Sequence, residues 1–182
     1  MEWKKLLSEK RAGAYRSSRK REDIDLRSEF EKDYHRIVSS ASFRRLQDKT
    51  QVFPLDKSDF IRTRLTHSLE VSSLAKSLGQ NISEYILQNH MAEDFTYRMK
   101  EDVGTILMCA GLIHDIGNPP FGHFGEDSIR EWFQKHLAEY SFKGTQVTEL
   151  LSRQMLRDLY YFEGNAQAFR LVTKLHYLVN EQ

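Results

Sequence analysis

His114-Asp115-Ile116-Gly117-Asn118-Pro119-Pro120-Phe121-Gly122-His123-Phe124-Gly125-Glu126 carries most of the information in this chain. A helical apolar pattern runs into it. Gly117 followed by Pro119-Pro120 stops that pattern, as a glycine end followed by proline should. A second helical pattern leaves near Gly122 or Gly125. Two His and two carboxylates fall within these thirteen positions. The adjacent His114-Asp115 can offer an imidazole nitrogen and a carboxylate oxygen to one divalent cation. His123 and Glu126, three apart, share a face of a helical turn. They can be a helix-start pair, with Glu126 balancing the helix dipole. They can equally be a carboxylate orienting an imidazole that takes a proton from water.

Upstream of this stretch the spacing predicts a helix over about 102–116, with Val103, Leu107, Ala110 and His114 at i, i+4, i+7 and i+11. Another begins near Leu65, with His67, Val71, Leu74, Leu78 and Ile82 on one stripe, so His67 and His114 are both expected to face inward. A His on an apolar stripe is ordinarily a core residue. Two of them on successive helices, one followed directly by Asp, can instead meet at a single cation. A helix over about 28–46 would bury Phe30, Tyr34, Ile37, Val38, Ala41 and Leu46, and Pro54 then marks a loop. Downstream, Ile129, Trp132, Phe133 and Leu137 form the apolar face of the helix after the motif. A loop is expected over 141–149, and helices over 150–159 and 167–179. With three Pro, nine Gly and little strand-like alternation, the fold class is all-α.

The 182 residues are enough for one domain with a real core. A net charge of +1 singles out no partner. The single Cys109 excludes an internal disulfide. No apolar run reaches the roughly 20 residues of a membrane span, and the polar start has no signal-peptide core. The expected location is the cytoplasm. Residues 1–27 form a basic arm in which Lys4, Lys5, Lys10, Arg11, Arg16, Arg19, Lys20 and Arg21 predominate. It is either a solvated segment or one that touches phosphates, as in a nucleic acid, or a neighbouring subunit. Residues 28–182 make the helical domain. Arg44, Arg45, Arg62 and Arg64 are either ion-pair residues or phosphate contacts. Phe162-Glu163-Gly164-Asn165-Ala166-Gln167 is either a helix cap or a source of amides for a sugar or base.

Taken together, "RRLQDKTQVFPL" (44–55), "RTRLTHSLEV" (62–71), "HDIGNPPFGHFGE" (114–126) and "FEGNAQAFRLV" (162–172) resemble the bacterial dGTP triphosphohydrolases of the HD-domain superfamily of metal-dependent phosphohydrolases. The resemblance implies a helical HD domain that hydrolyses dGTP or another dNTP to deoxynucleoside and triphosphate by water attack at the α-phosphorus. It implies that His67, His114 and Asp115 are metal ligands for Mg²⁺ or Mn²⁺, and that Glu126 orients His123 to activate water. It also implies substrate contacts from Arg64, Gln51 and Asn165, and a homo-oligomer. Asn118 stands where many dNTP triphosphohydrolases carry His, as in the dGTPase branch. The family's fourth ligand is an Asp on a later helix, and neither Asp127 nor Asp158 lies in a matching context. The chain is therefore expected to be the N-terminal portion of a longer helical protein, with three of the four ligands. The alternatives are an HD phosphohydrolase acting on other nucleotides, and a truncated, inactive module that binds nucleotide or assembles subunits.

Overall fold

The computed structural model describes residues 2–10, 25–49 and 62–175. Gln51 and the segment around Pro54, Arg11 to Arg21 of the basic arm, and the end of the 167–179 helix lie outside the described residues. Apart from one small hairpin, regular structure among them is helical: α1 (Trp3–Leu6), α2 (Glu29–Ser39), α3 (Ala41–Arg44), α4 (Arg64–Gln88), α5 (Tyr97–Ile113), α6 (Gly122–His136), α7 (Val147–Leu150), α8 (Arg153–Tyr160) and α9 (Gly164–Arg170). The expected all-α class holds. No helix among the described residues is long and apolar enough to cross a membrane. The chain divides into two compact units, one of Met1–Arg44 with Ser68–Leu112, the other of Arg45–His67 with Ile113–Gln182.

In the first unit, Ser28 starts α2 with a reciprocal cap. Its hydroxyl accepts from Glu31 N at 3.1 Å, and the Glu31 carboxylate accepts from Ser28 N at 2.7 Å. Replacing Ser28 by Ala is expected to cost about 1 kcal/mol, measured as a shift of the urea midpoint at unchanged slope.

The helix expected over 28–46 breaks at Ser40, whose backbone is extended. The Ser40 hydroxyl donates to Ile37 O at 2.8 Å and accepts from Phe43 N at 3.2 Å, so one side chain closes α2 and opens α3. Phe43, 3% exposed, is the buried residue there, while Ala41 is exposed.

The stripe expected on α4 is corrected more sharply. Leu74, Leu78 and Ile82 are 66%, 60% and 59% exposed, and the buried face is Ser72, Gly79 and Ser83. Small residues are there because α5 comes close. A Cβ on Gly111 would lie 2.5 Å from Ser72 Cα, and one on Gly79 would lie 2.6 Å from Leu107 Cδ1. The Ser72 hydroxyl donates to Met108 O at 2.9 Å. The buried face of α5 is correspondingly Asp102, Gly104, Thr105, Gly111 and Leu112, with Ala110 exposed. Burial pushes the Cys109 thiol up to about 11, which suits a structural cysteine.

In the second unit, Leu46 is fully buried, with Ile116 and Leu137 at 4% and 5% exposure. Trp132, expected on the apolar face of α6, is 45% exposed. The loop expected over 141–149 is an antiparallel hairpin, β1 (Ser141–Phe142) paired with β2 (Thr145–Gln146), followed by α7. Lys143 (φ 51°) and Gly144 (φ 83°) make its two-residue turn.

Candidate metal and acid–base site

Every described residue of the candidate site belongs to the second unit. α5 ends at Ile113, three residues earlier than the spacing predicts. Ile116 N donates to Ile113 O and Asn118 N to Asp115 O, each at 3.1 Å, so 113–118 is a run of tight turns. These turns aim successive side chains in different directions. Asp115 and Ile116 are buried, and His114 stays half-exposed rather than in the core (34% of its side chain). His67, on the first turn of α4, is also half-buried. Its ring lies 5.2 Å from that of His114, at 67° between planes.

One ligand atom each from His67, His114 and Asp115 lies within 4.8 Å of the others, a group able to hold a metal ion. Two ligands at about 2.1 Å from one ion are roughly 3.0 to 4.2 Å apart. The three are close enough to share a divalent cation once their side chains draw together around it. Two neutral imidazoles and one carboxylate are also a sound donor set for such an ion.

Asp115 is tightly framed. Oδ2 accepts from Arg64 Nη1 at 2.9 Å, and Oδ1 accepts from Asn118 Nδ2 at 2.6 Å. Arg64 is only 4% exposed, and its Nε has no hydrogen-bond partner among the described residues. Asp115 Oδ1 retains lone-pair capacity beyond Asn118, and His114 Nε2 lies 3.6 Å from it. Lys49 Nζ donates to Asn118 O at 2.8 Å. Burial first, then the guanidinium charges of Arg64 and Arg45, hold its ammonium below the usual lysine value.

After the Pro pair the chain reverses through two left-handed residues, Phe121 (φ 65°) and Gly122 (φ 56°), into α6. A non-glycine residue in that region costs about 1–3 kcal/mol and marks a turn held by its surroundings. The turn sets His123 and Glu126 on the first turns of α6, with His123 Nδ1 at 3.1 Å from Glu126 Oε2. Glu126 is 4% exposed, whereas 91% of the His123 side chain is open to solvent. With Nδ1 as the donor, Nε2 keeps a lone pair facing outward.

Glu126 Oε1 accepts from Gly164 N at 2.8 Å, and Arg130 Nη2 stands 3.5 Å from Oε2. A Cβ on Gly164 would lie 2.6 Å from Glu126 Oε1 and collide with Asn118 Oδ1, so only glycine allows α9 this close. The 162–167 segment is a helix cap. The Glu163 side chain accepts from Ala166 N at 2.7 Å, and that N–H, ahead of Asn165, holds the carboxyl below the usual range. Asn165 is exposed and donates to Glu163 Oε1 at 2.9 Å.

The structure thus brings together His67, His114, Asp115 and Arg64 in one cluster and His123 with Glu126 in another. Asn165 lies on the cap, and Gln51 lies outside the described residues. Arg130 and the Gly164 N–H join the site beyond the sequence expectation, and Asn118, marked in the sequence only as standing in place of His, turns out to hold Asp115. Arg130, four after Glu126 and seven after His123, had a legible signal in its spacing. A backbone donor 38 positions from its acceptor had none.

The chain is 57% identical over 184 positions to a deoxyguanosinetriphosphate triphosphohydrolase-like protein of Listeria monocytogenes, covering 100% of this chain and 39% of that protein. A like-named protein of Synechocystis is 47% identical over 175 positions, covering 96% of this chain and 38% of its own. A deoxyguanosinetriphosphate triphosphohydrolase of Klebsiella pneumoniae is 41% identical over 167 positions, covering 80% and 33%. The chain spans at most about two-fifths of the length of these curated relatives. Residues 64–179, which contain His67, His114, Asp115, His123 and Glu126, match the HD domain, and the chain belongs to that family.

Proposed function

We propose that these residues form the metal and acid–base centre of a triphosphohydrolase acting on dGTP or another dNTP. The observation that carries this reading is the pairing, within one compact unit, of the His67–His114–Asp115 group with a buried Glu126 that holds an exposed His123. His67, His114 and Asp115 would hold Mg²⁺ or Mn²⁺. Bound there, the ion supplies positive charge to the phosphate oxygens and acidifies water. Arg64 and Asn118 fix the Asp115 carboxylate from both of its oxygens. Glu126 fixes the Nδ1–H tautomer of His123, so that Nε2 takes the proton as water oxygen bonds to the α-phosphorus. The bond from that phosphorus to O5′ breaks, O5′ leaves protonated, and the products are deoxynucleoside and intact triphosphate. Arg64, one turn before His67, is the proposed contact to the α-phosphate, and Gln51 and Asn165 are proposed contacts to sugar and base. Homo-oligomerisation is proposed on the same family grounds.

The test uses the full-length protein containing residues 1–182, incubated with dGTP and Mn²⁺ in ¹⁸O-labelled water. Deoxyguanosine and labelled triphosphate in equal amounts are expected. Formation of dGMP and pyrophosphate would rule out the proposed cleavage.

A further inference from the structure

We propose that Arg130 is a positioning residue that controls both oxygens of the Glu126 carboxylate. The inference rests on the reading of His123 and Glu126 as the proton-transfer pair. Arg130 lies one turn after Glu126 on α6, and its planar guanidinium spreads donors in fixed directions. Nη2 faces Glu126 Oε2 at 3.5 Å, the oxygen that also meets His123 Nδ1. Nε donates to Phe162 O at 2.6 Å, and Nη1 reaches Asp127 Oδ1 at 3.2 Å.

The contact to Phe162 matters because Gly164 is only two residues further along the chain, and its N–H donates to Glu126 Oε1 at 2.8 Å. Arg130 therefore acts on Oε2 directly, and on Oε1 by fixing the backbone that delivers the Gly164 N–H. Gln134, a further turn along α6, donates to Tyr160 O at 3.0 Å, so two side chains on one face hold the exit of α8. At 3.5 Å the direct contact to Oε2 is long for a hydrogen bond, and the 2.6 Å bond to Phe162 is the firmer of the two. Arg130 touches no reacting atom in this arrangement. Its guanidinium remains charged across the whole working pH range, which keeps the clamp constant while His123 gains and loses its proton.

The experiment is a double-mutant cycle on the full-length protein with dGTP and Mn²⁺, measuring kcat and KM. Arg130→Met is expected to lower kcat by about tenfold to a hundredfold, with KM within about twofold, as loss of a group that orients a reacting residue does. In a Glu126→Gln background the same substitution is expected to cost several-fold less in kcat, because the charged oxygen that Arg130 faces is gone and only the Gly164 contact remains. Equal fold losses in both backgrounds would mark a merely structural role and overturn the proposal, as would an unchanged kcat in Arg130→Met alone. Should Arg130→Met fail to fold, Arg130→Lys replaces it in the same cycle. A single ammonium keeps the charge but cannot span Phe162 O and Glu126 together, so an intermediate kcat is expected, with wild-type kcat overturning the proposal. If Glu126→Gln alone turns over at the wild-type rate, it is the base assignment that fails, and Arg130 falls with it.

Discussion

Replacing Asp115 by Ala is expected to abolish stoichiometric metal binding and to destabilise the fold by about 3–5 kcal/mol, the usual cost of stranding one member of a buried ion pair. The size comes from the surroundings. Asp115 and Arg64 are 7% and 4% exposed, and their contact at 2.9 Å is the one hydrogen bond that the Arg64 side chain makes among the described residues. Arg64 Nε already lacks a partner there, so without the carboxylate the guanidinium would be buried with no acceptor to offset its lost hydration. Asn118 Nδ2 would lose its acceptor too. Asp115→Asn separates the two consequences. It keeps the volume and one carbonyl oxygen while removing the charge, so it should lose metal with a smaller loss of stability. Elemental analysis of the purified proteins, with urea unfolding of each, makes the comparison. Asp115→Ala protein that kept wild-type metal content would remove Asp115 from the ligand set.

The parts of this site that are legible in the sequence are those written in rigid chemistry. Gly117 and Pro119-Pro120 announce the end of one helix and the start of another, so His123 and Glu126 fall at a helix start by spacing alone. The three-residue shortening of α5 is hidden because His114 and Ile116 prolong its apolar period, while the tight turns of 113–118 are backbone events. The face of α4 differs from its apolar stripe for another reason. Apolar periodicity locates a buried stripe only when burial is by large side chains, and here helix approach is set by Ser72, Gly79 and Gly111. Ser40 shows the same limit at shorter range, since a hydroxyl that both ends and starts a helix is invisible to a count of apolar positions. The His67–His114 meeting is unaffected, because it depends on the first turn of α4 and the end of α5, not on the middle of either stripe.

Removing the imidazole of His123 is expected to lower turnover by about 10²- to 10⁴-fold, the span usual for loss of a general base, while metal content and the unfolding midpoint stay at wild-type values. Stability should not follow activity here, because 91% of the His123 side chain is in solvent and its ring contact is to Glu126 alone among the described residues. Glu126 is the contrasting case. It is 4% exposed, and Glu126→Ala would strand the Gly164 N–H and open a cavity, so that variant should lose stability by about 1–3 kcal/mol as well as activity. Glu126→Gln keeps an acceptor for Gly164 but turns an amide N–H₂ or a neutral oxygen toward His123, which weakens the Nδ1–H tautomer without emptying the site. The order expected for kcat is therefore wild type above Glu126→Gln, with His123→Ala lowest, KM changing little throughout. Steady-state kinetics with dGTP and Mn²⁺, beside thermal unfolding of each variant, reads both quantities. A His123→Ala enzyme with normal kcat would mean that the proton goes elsewhere, and the buried carboxylate would then need another partner to explain why α6 and α9 enclose it so closely.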